Sequence, residues 1–444
     1  MKPRPNILYI FTDQQSAGMM SCAGNEDLST PAMDSLAARG MRFEKAYCSY
    51  PLCTPSRVGM FTGRFPHEVG VNQNGVCIDE AFRDSELGRV LRRAGYNCAY
   101  GGKWHLPTVP FPNDEDHGFR KIAGFDDRAL PDACARFFNE KRANPFFLVA
   151  SFDNPHNICE WGMEMALPWG EIGEPPSVEQ CPALPANHAK TADEPDAVAM
   201  FRHDCHTRTG IGTWQTDEEW RRRRWAYARI TEKVDTRIGS VLKALEQAGL
   251  ADDTLVIFSS DHGDQDGAHM LAHKRVLYEE SVRVPLIVAG PGVQRGAVDA
   301  THLVNNSTDF FATVCDYAAA KMPPDLSGHS LRPILEGHAP GSWPEYVVSE
   351  VENEHLHKRA RGRMVRTARF KYIAYERWRH REQLFDLPAD PGETNNLAKA
   401  PDCREELQRH REHLREWCRR TSDSFGRHYP HPNVPFMIPG DSYQ

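Results

Sequence analysis

The run Pro51-Leu52-Cys53-Thr54-Pro55-Ser56-Arg57 sets a thiol, two hydroxyls and a guanidinium side by side at what reads as the start of a helix. Thr54 can serve as N-cap, and Pro55 suits the first helical position, where its missing N–H costs nothing. Cys53 then lies just outside a helix N-terminus, whose free N–H groups and partial positive charge lower a thiol pKa and favour a bound oxyanion. Taken alone, such a cysteine is ordinarily a small apolar core residue. Four further polar groups shift that balance: Asp13-Gln14, Lys103 with His105, His156, and Asp261-His262. Their side chains can hold a divalent cation, bind an anion or move a proton.

Each of those groups directly follows a short apolar run. Residues 6–12 form a nearly continuous apolar stretch, expected to be a strand buried on both faces, that stops at Asp13-Gln14-Gln15. Residues 97–100 read as a strand leading into Gly101-Gly102-Lys103-Trp104-His105, and residues 145–152 as another leading into Asp153-Asn154-Pro155-His156. Residues 255–260 end at Asp261-His262-Gly263-Asp264, and residues 284–289 supply one more buried strand. Helices alternate with them. Thr30-Pro31 opens one with Met33, Leu36 and Ala37 on a face and Gly40 closing it; Asp84 or Ser85 caps one carrying Leu87, Val90, Leu91 and Ala94. Thr216-x-x-Glu219 is a capping box before a long helix with Ile230, Val234, Ile238, Val241, Leu242 and Leu245 on one side. Alternation of this kind predicts a mostly parallel sheet flanked by helices, with ligands bound beyond the carboxyl ends of its strands. The four polar groups therefore line one pocket.

Length and composition frame the rest. The 444 residues suffice for more than one domain, and a net charge of −8 excludes nucleic-acid binding through general basicity. Twelve cysteines without Cys-x-x-Cys spacing argue against a zinc ribbon or a disulfide scaffold. No apolar run reaches a membrane span, and residues 7–11 are too short for a signal core. The chain reads as cytoplasmic as it stands, or periplasmic or secreted if a leader has been removed. Residues 157–216 lack periodicity and read as loops over the pocket. Beyond about residue 340, alternating runs predict a smaller antiparallel sheet with a helix near residues 403–419 and an extended tail, which divides the chain into a catalytic part, 1–340, and a C-terminal part, 341–444.

Cys-x-Pro-Ser-Arg with Thr62-Gly63-Arg64 resembles the modification motif of type I sulfatases, members of the alkaline phosphatase superfamily, in which a maturation enzyme oxidises the cysteine to formylglycine. Residues 6–13, Gly102-Lys103-Trp104-His105, Ser260-Asp261-His262-Gly263, Lys274 with Leu277-Tyr278-Glu279-Glu280-Ser281, and Asp390 through Leu397 look like further landmarks of that family, in its order. The resemblance implies an alkaline-phosphatase-like α/β fold and hydrolysis of a sulfate monoester, on a carbohydrate or other sulfated small molecule. It implies one divalent cation, calcium with manganese or magnesium as alternatives, held by Asp13, Gln14, residue 53, Asp261 and His262. Gln14 and His262 depart from the commoner Asp and Asn, and the set resembles the choline sulfatase and phosphonate monoesterase branches. Arg57 is then expected to hold the modified residue, Lys103 to contact it and the sulfate, and His105 to orient or deprotonate it. His156 and Lys274 are expected at the sulfate and the leaving oxygen. One hydroxyl of the hydrated aldehyde attacks sulfur, and loss of a proton from the other expels sulfate.

The rival readings are a phosphonate or phosphate ester hydrolase of the same superfamily and a non-catalytic glycan-binding relative with an unmodified Cys53. Two other clusters read as less specific. His203-Asp204-Cys205-His206 lacks a second ligand pair for zinc, and the basic run from His355 to Arg363 reads as a charged surface, or else as a seat for a second anionic group of the substrate.

Overall fold

The computed structural model describes residues 4–106, 116–209, 216–355 and 358–425. Fourteen strands lie among them: β1 Asn6–Asp13, β2 Gly40–Phe43, β3 Ala46–Tyr47, β4 Asn97–Gly102, β5 Arg120–Lys121, β6 Phe146–Pro155, β7 Thr254–Ser260, β8 Leu286–Ala289, β9 Ala297–Asp299, β10 Val304–Asn305, β11 Tyr346–His355, β12 Lys358–Thr367, β13 Phe370–Tyr375 and β14 Glu382–Asp386. Eight of them form one sheet in the order β5-β4-β6-β1-β7-β8-β2-β9. β4, β6, β1 and β7 run parallel to one another, and only β8 is antiparallel to its neighbours β7 and β2. The continuous apolar character of β1 follows from its place at the centre. Ile7, Tyr9 and Phe11 point into the core on one face, Leu8 and Ile10 into the core on the other. The helix Asp217–Gln247 covers the second face with Val234, Ile238, Val241, Leu242 and Leu245, and its capping box is present between Thr216 and Glu219.

The C-terminal sheet is antiparallel, β11-β12-β13-β14, and the helix Arg404–Arg420 lays Leu407, Leu414 and Trp417 against it. Residues 426–444, expected as a tail, lie outside the described residues, as does His357 of the basic run. Arg361 pairs with Glu376 at 2.7 Å, and buried Arg363 with Asp423 at 2.6 Å and Glu350 at 3.3 Å. Those arginines are thus structural partners of acids from neighbouring elements and not a free charged surface. Among the described residues no helix is long and apolar enough to cross a membrane.

Several local expectations shift. The helix around the cysteine is Cys53–Thr62 and begins at Cys53 itself, with extended Leu52 before it. Thr54 does not cap it but donates its hydroxyl to the carbonyl of His105 at 2.8 Å. The helix starting at Leu87 is preceded by a turn, Glu80–Ser85, so neither Asp84 nor Ser85 caps it. Residues 157–216 are not all loop, since Ile158–Gly162 and Asp196–Thr209 are helical. The second of these carries His203, Asp204 and Cys205, none of which joins a metal-like cluster among the described residues.

Candidate active site and metal centre

Because β4, β6, β1 and β7 are adjacent and parallel, their carboxyl ends deliver Lys103, Asp153, Asp13 and Asp261 to one rim of the sheet. The helix Cys53–Thr62 is driven into that rim, and every one of its residues is buried. Two glycines permit this. A Cβ at Gly59 would lie 2.7 Å from Ser49 Oγ, and Gly63 ends the helix at φ 68°.

Arg57 organises the acids around Cys53. Its Nη2 donates to Asp13 Oδ2 at 2.9 Å and its Nε to Asp261 Oδ2 at 2.8 Å, while Nη1 reaches the Lys103 carbonyl at 2.6 Å and Ser151 Oγ at 3.1 Å. A planar fork suits such divided pairing. Lys103 Nζ adds a second cation, 2.8 Å from Asp13 Oδ2 and 2.8 Å from Asp153 Oδ1. With both outer oxygens tied down, the Oδ1 atoms of Asp13 and Asp261 turn inward, 3.7 and 3.6 Å from His262 Nε2. Cys53 Sγ stands 3.2 Å from the same nitrogen and 3.5 Å from Asp13 Oδ1. His262 Nδ1 faces the Gly263 carbonyl at 3.0 Å, an oxygen that can only accept, so Nδ1 carries a proton and Nε2 is the nitrogen turned inward; burial disfavours the imidazolium, but Asp261 and Cys53 raise its pKa.

That donor set fits a divalent cation. Asp13, Cys53, Asp261 and His262 bring one ligand atom each to within 4.8 Å of one another, and all four residues are buried. Two inward carboxylate oxygens and an inward imidazole nitrogen are groups such an ion can take as ligands. Gln14 stands beside them at φ 72°. Its Nε2 donates to Asp264 Oδ2 at 2.7 Å, and its Oε1 therefore turns toward Lys274 Nζ, which donates to it.

The charges respond to this crowding. Burial would raise the Asp13 carboxyl, yet Lys103, His156 and Arg57 hold it well below the usual carboxylate range. Asp261 moves the other way, raised by burial and by Asp13. Burial disfavours the Lys103 ammonium, but Asp13 and Asp153 more than compensate and raise it. The Cys53 thiol, opposed by burial and Asp13, is nonetheless pulled well below its ordinary value by Lys274, His262 and a hydrogen bond with His105. His105 is otherwise exposed, at a left-handed φ of 47°. His156 sits at the opening with Nδ1 4.0 Å from both Asp153 Oδ1 and Glu160 Oε2. Every residue singled out in the sequence for this pocket is therefore found around it.

Others were not foreseen. Asp153 binds Lys103, Asn157 Nδ2 at 2.8 Å and Trp169 Nε1 at 2.8 Å, and so anchors the cation to the pocket wall. Asp264 is clamped by Arg223 Nη2 at 2.8 Å, and Tyr227 donates to the Gln14 carbonyl at 2.6 Å. Asp153, standing two places before a proline at a strand end, was visible in sequence, but Arg223 and Tyr227 lie on a helix distant in the chain.

Comparison with known proteins agrees with this architecture. The family model described as Sulfatase matches residues 5–320, and that described as N-sulphoglucosamine sulphohydrolase, C-terminal, matches residues 267–420. A Delta 4,5-hexuronate-2-O-sulfatase of Bacteroides thetaiotaomicron is 31% identical over 440 residues, covering 95% of this chain and 90% of its own. The structure of a 2-O GAG sulfatase superposes with a TM-score of 0.85 at 29% identity, over 95% of this chain and 94% of that one. A phosphonate monoester hydrolase of Agrobacterium radiobacter, at 23% identity and a TM-score of 0.76 over 94% of this chain and 96% of its own, shares the fold.

Proposed function

This chain belongs to the sulfatase family and hydrolyses sulfate esters, and on that premise we propose that its substrate is a 2-O-sulfated hexuronate residue at the end of a glycosaminoglycan fragment. The observation that carries the reading is a buried nucleophile position, Cys53, set among inward carboxylate oxygens, His262 Nε2 and the paired ammonium groups of Lys103 and Lys274. The substrate class follows the relatives that resemble the chain along nearly its whole length.

In this reading a maturation enzyme oxidises Cys53 to formylglycine, which when hydrated supplies an oxygen nucleophile and a second hydroxyl on the same carbon. A divalent cation held by Asp13, Asp261, His262 and residue 53, with Gln14 alongside, supplies a Lewis acid that makes such an oxygen nucleophilic at neutral pH. The ion we propose is calcium; the imidazole nitrogen of His262 is the feature that would admit manganese instead. The chain's own residues do the rest. Lys103 and Lys274 face the sulfate oxygens and absorb their charge in a site from which water is largely excluded. In this reading His156 gives a proton to the departing sugar oxygen and His105 takes one from residue 53, roles supported by the Asp153 and Glu160 carboxylates 4.0 Å from His156 and by the hydrogen bond of His105 with Cys53. Arg57 holds the metal-facing carboxylates in position and does not spend its fork on the substrate.

The test compares initial rates on a 2-O-sulfated unsaturated uronyl disaccharide, on its 6-O-sulfated isomer, on 4-nitrophenyl sulfate and on 4-nitrophenyl phenylphosphonate. Preference for the first supports the proposal. A higher kcat/KM on the phosphonate assigns the chain to the phosphonate ester reading. Mass spectrometry of the peptide containing residue 53 registers the loss of sulfur and gain of oxygen, and metal analysis of the purified protein separates calcium from manganese.

A further inference from the structure

Phe125 is 54% exposed, on the turn between β5 and the helix Leu130–Phe138. One exposed phenylalanine is unremarkable on any soluble surface. Its surroundings are less ordinary. Lys103 Nζ lies over the ring, 5.8 Å from its centroid, and that same ammonium is 2.8 Å from Asp13. One cation therefore separates the ring from the metal-facing carboxylates. The ring is also fixed. Trp169 packs against it edge-on with centroids 5.3 Å apart, and Trp169 is itself tied to Asp153 at 2.8 Å. Two residues along the chain, the buried Asp127 carboxylate accepts the backbone N–H groups of Asp153 at 2.7 Å and Asn154 at 2.9 Å, which fastens the turn to the end of β6. Arg128, over the Trp169 ring at 5.7 Å, continues the rim.

A rigid, half-open aromatic ring beside the cation expected to grip sulfate is suited to the apolar C–H face of a pyranose. We propose that Phe125 is a specificity-determining platform on which the sugar ring bearing the sulfate stacks. This rests on the saccharide reading above, and it assigns the discrimination between saccharide and non-saccharide esters to Phe125, leaving the chemical step to the residues behind it.

The experiment measures kcat and KM separately for wild type, Phe125→Ala, Phe125→Leu and Phe125→Tyr, on the most active member of a panel of sulfated mono- and disaccharides and on 4-nitrophenyl sulfate. The expected result is a rise in KM for the saccharide of roughly tenfold in the Ala and Leu variants, with kcat held and with Tyr close to wild type. Leucine behaving as wild type overturns the proposal, because aliphatic bulk would then suffice. An equal fall in kcat on both substrates overturns it too, since the ring would then be serving Lys103. A saccharide KM within twofold of wild type in the Ala variant removes the platform alone, whereas failure of the wild type to turn over any saccharide on the panel removes the saccharide reading itself.

Discussion

Replacing Arg57 with lysine keeps a positive charge in the pocket and removes the fork. Arg57 donates to two carboxylates, Asp13 at 2.9 Å and Asp261 at 2.8 Å, and to neutral oxygens of Lys103 at 2.6 Å, Ser151 at 3.1 Å and Trp104 at 3.3 Å. A lysine ammonium is a compact point charge on a shorter reach and can keep one carboxylate. The loss is then one charge-assisted hydrogen bond, worth roughly 1.5–3 kcal/mol, and about two neutral ones near 1 kcal/mol each, for a total of about 4 kcal/mol. Two consequences separate a residue that holds the ligands from one that touches substrate. The carboxylate left without a partner loses its inward aim, so metal affinity falls roughly 10- to 100-fold. Excess metal then restores much of both stability and kcat, because the ion itself becomes the missing counter-charge. The assay is a metal titration of Arg57→Lys and wild type, following the urea unfolding midpoint and the rate on 4-nitrophenyl sulfate in the same samples. Wild-type metal affinity and an unmoved midpoint, together with a kcat that stays low at saturating metal, would refute the reasoning and place Arg57 on the substrate.

Three further outcomes are expected. Cys53→Ala abolishes turnover of every sulfate ester while leaving the circular dichroism spectrum unchanged; residual turnover comparable to wild type removes residue 53 as nucleophile. Dialysis against a chelator lowers the unfolding midpoint, because Asp13 and Asp261 face each other across the emptied centre, and restoring the ion reverses it; indifference to chelation counts against the metal. Burial, with Lys371 and Arg202 nearby, pushes the His269 imidazole down to about 4 from 6.5. The unfolded chain binds a proton that the folded chain refuses across that interval, so this contribution to stability is intact above pH 6.5 and is lost as pH falls toward 4. At pH 5 the loss is about 2 kcal/mol, read as a drop in the urea midpoint that His269→Gln diminishes.

The strand-end residues were legible because apolar runs in a central parallel sheet stop where the backbone leaves the core. Asp13 and Asp261 close two such runs, and both stand where the sequence put them. The supporting residues were hidden for reasons that are equally physical. Four arginines, Arg221 to Arg224, stand in a row on one helix, and nothing local distinguishes Arg223, the one turned inward onto Asp264. β6 runs on through Asp153 to Pro155 because its terminal N–H groups find Asp127, twenty-six residues earlier, a partner that no local pattern announces. The helix Asp196–Thr209 shows no readable stripe in sequence, because among its described side chains the buried ones mix apolar Ala197, Val198 and Phe201 with charged Arg202 and Asp204. Motif residues are fixed by chemistry and therefore visible; the residues that hold them are fixed by long-range pairing and are not.

The charge balance of the pocket bears on which ester charges it can accept. Three carboxylates, Asp13, Asp153 and Asp261, face three cations, Arg57, Lys103 and Lys274, all buried, and His262 stands between them. The inner pocket is thus close to neutral before any ion or substrate arrives. A divalent cation brings two positive charges, a sulfate monoester brings one negative, and the remaining positive charge is matched by the oxyanion that develops in the reaction. A phosphonate monoester carries the same single charge and meets the same balance, whereas a phosphate monoester at neutral pH brings nearly two and leaves nothing for the developing charge to neutralise. Charge alone therefore separates monoanionic esters from dianionic ones and leaves sulfate and phosphonate alike. Discrimination between those two, and among sugars, has to come from outside the charged centre, where the Phe125–Trp169 ring pair and His156 stand next to Lys103 and Asp153.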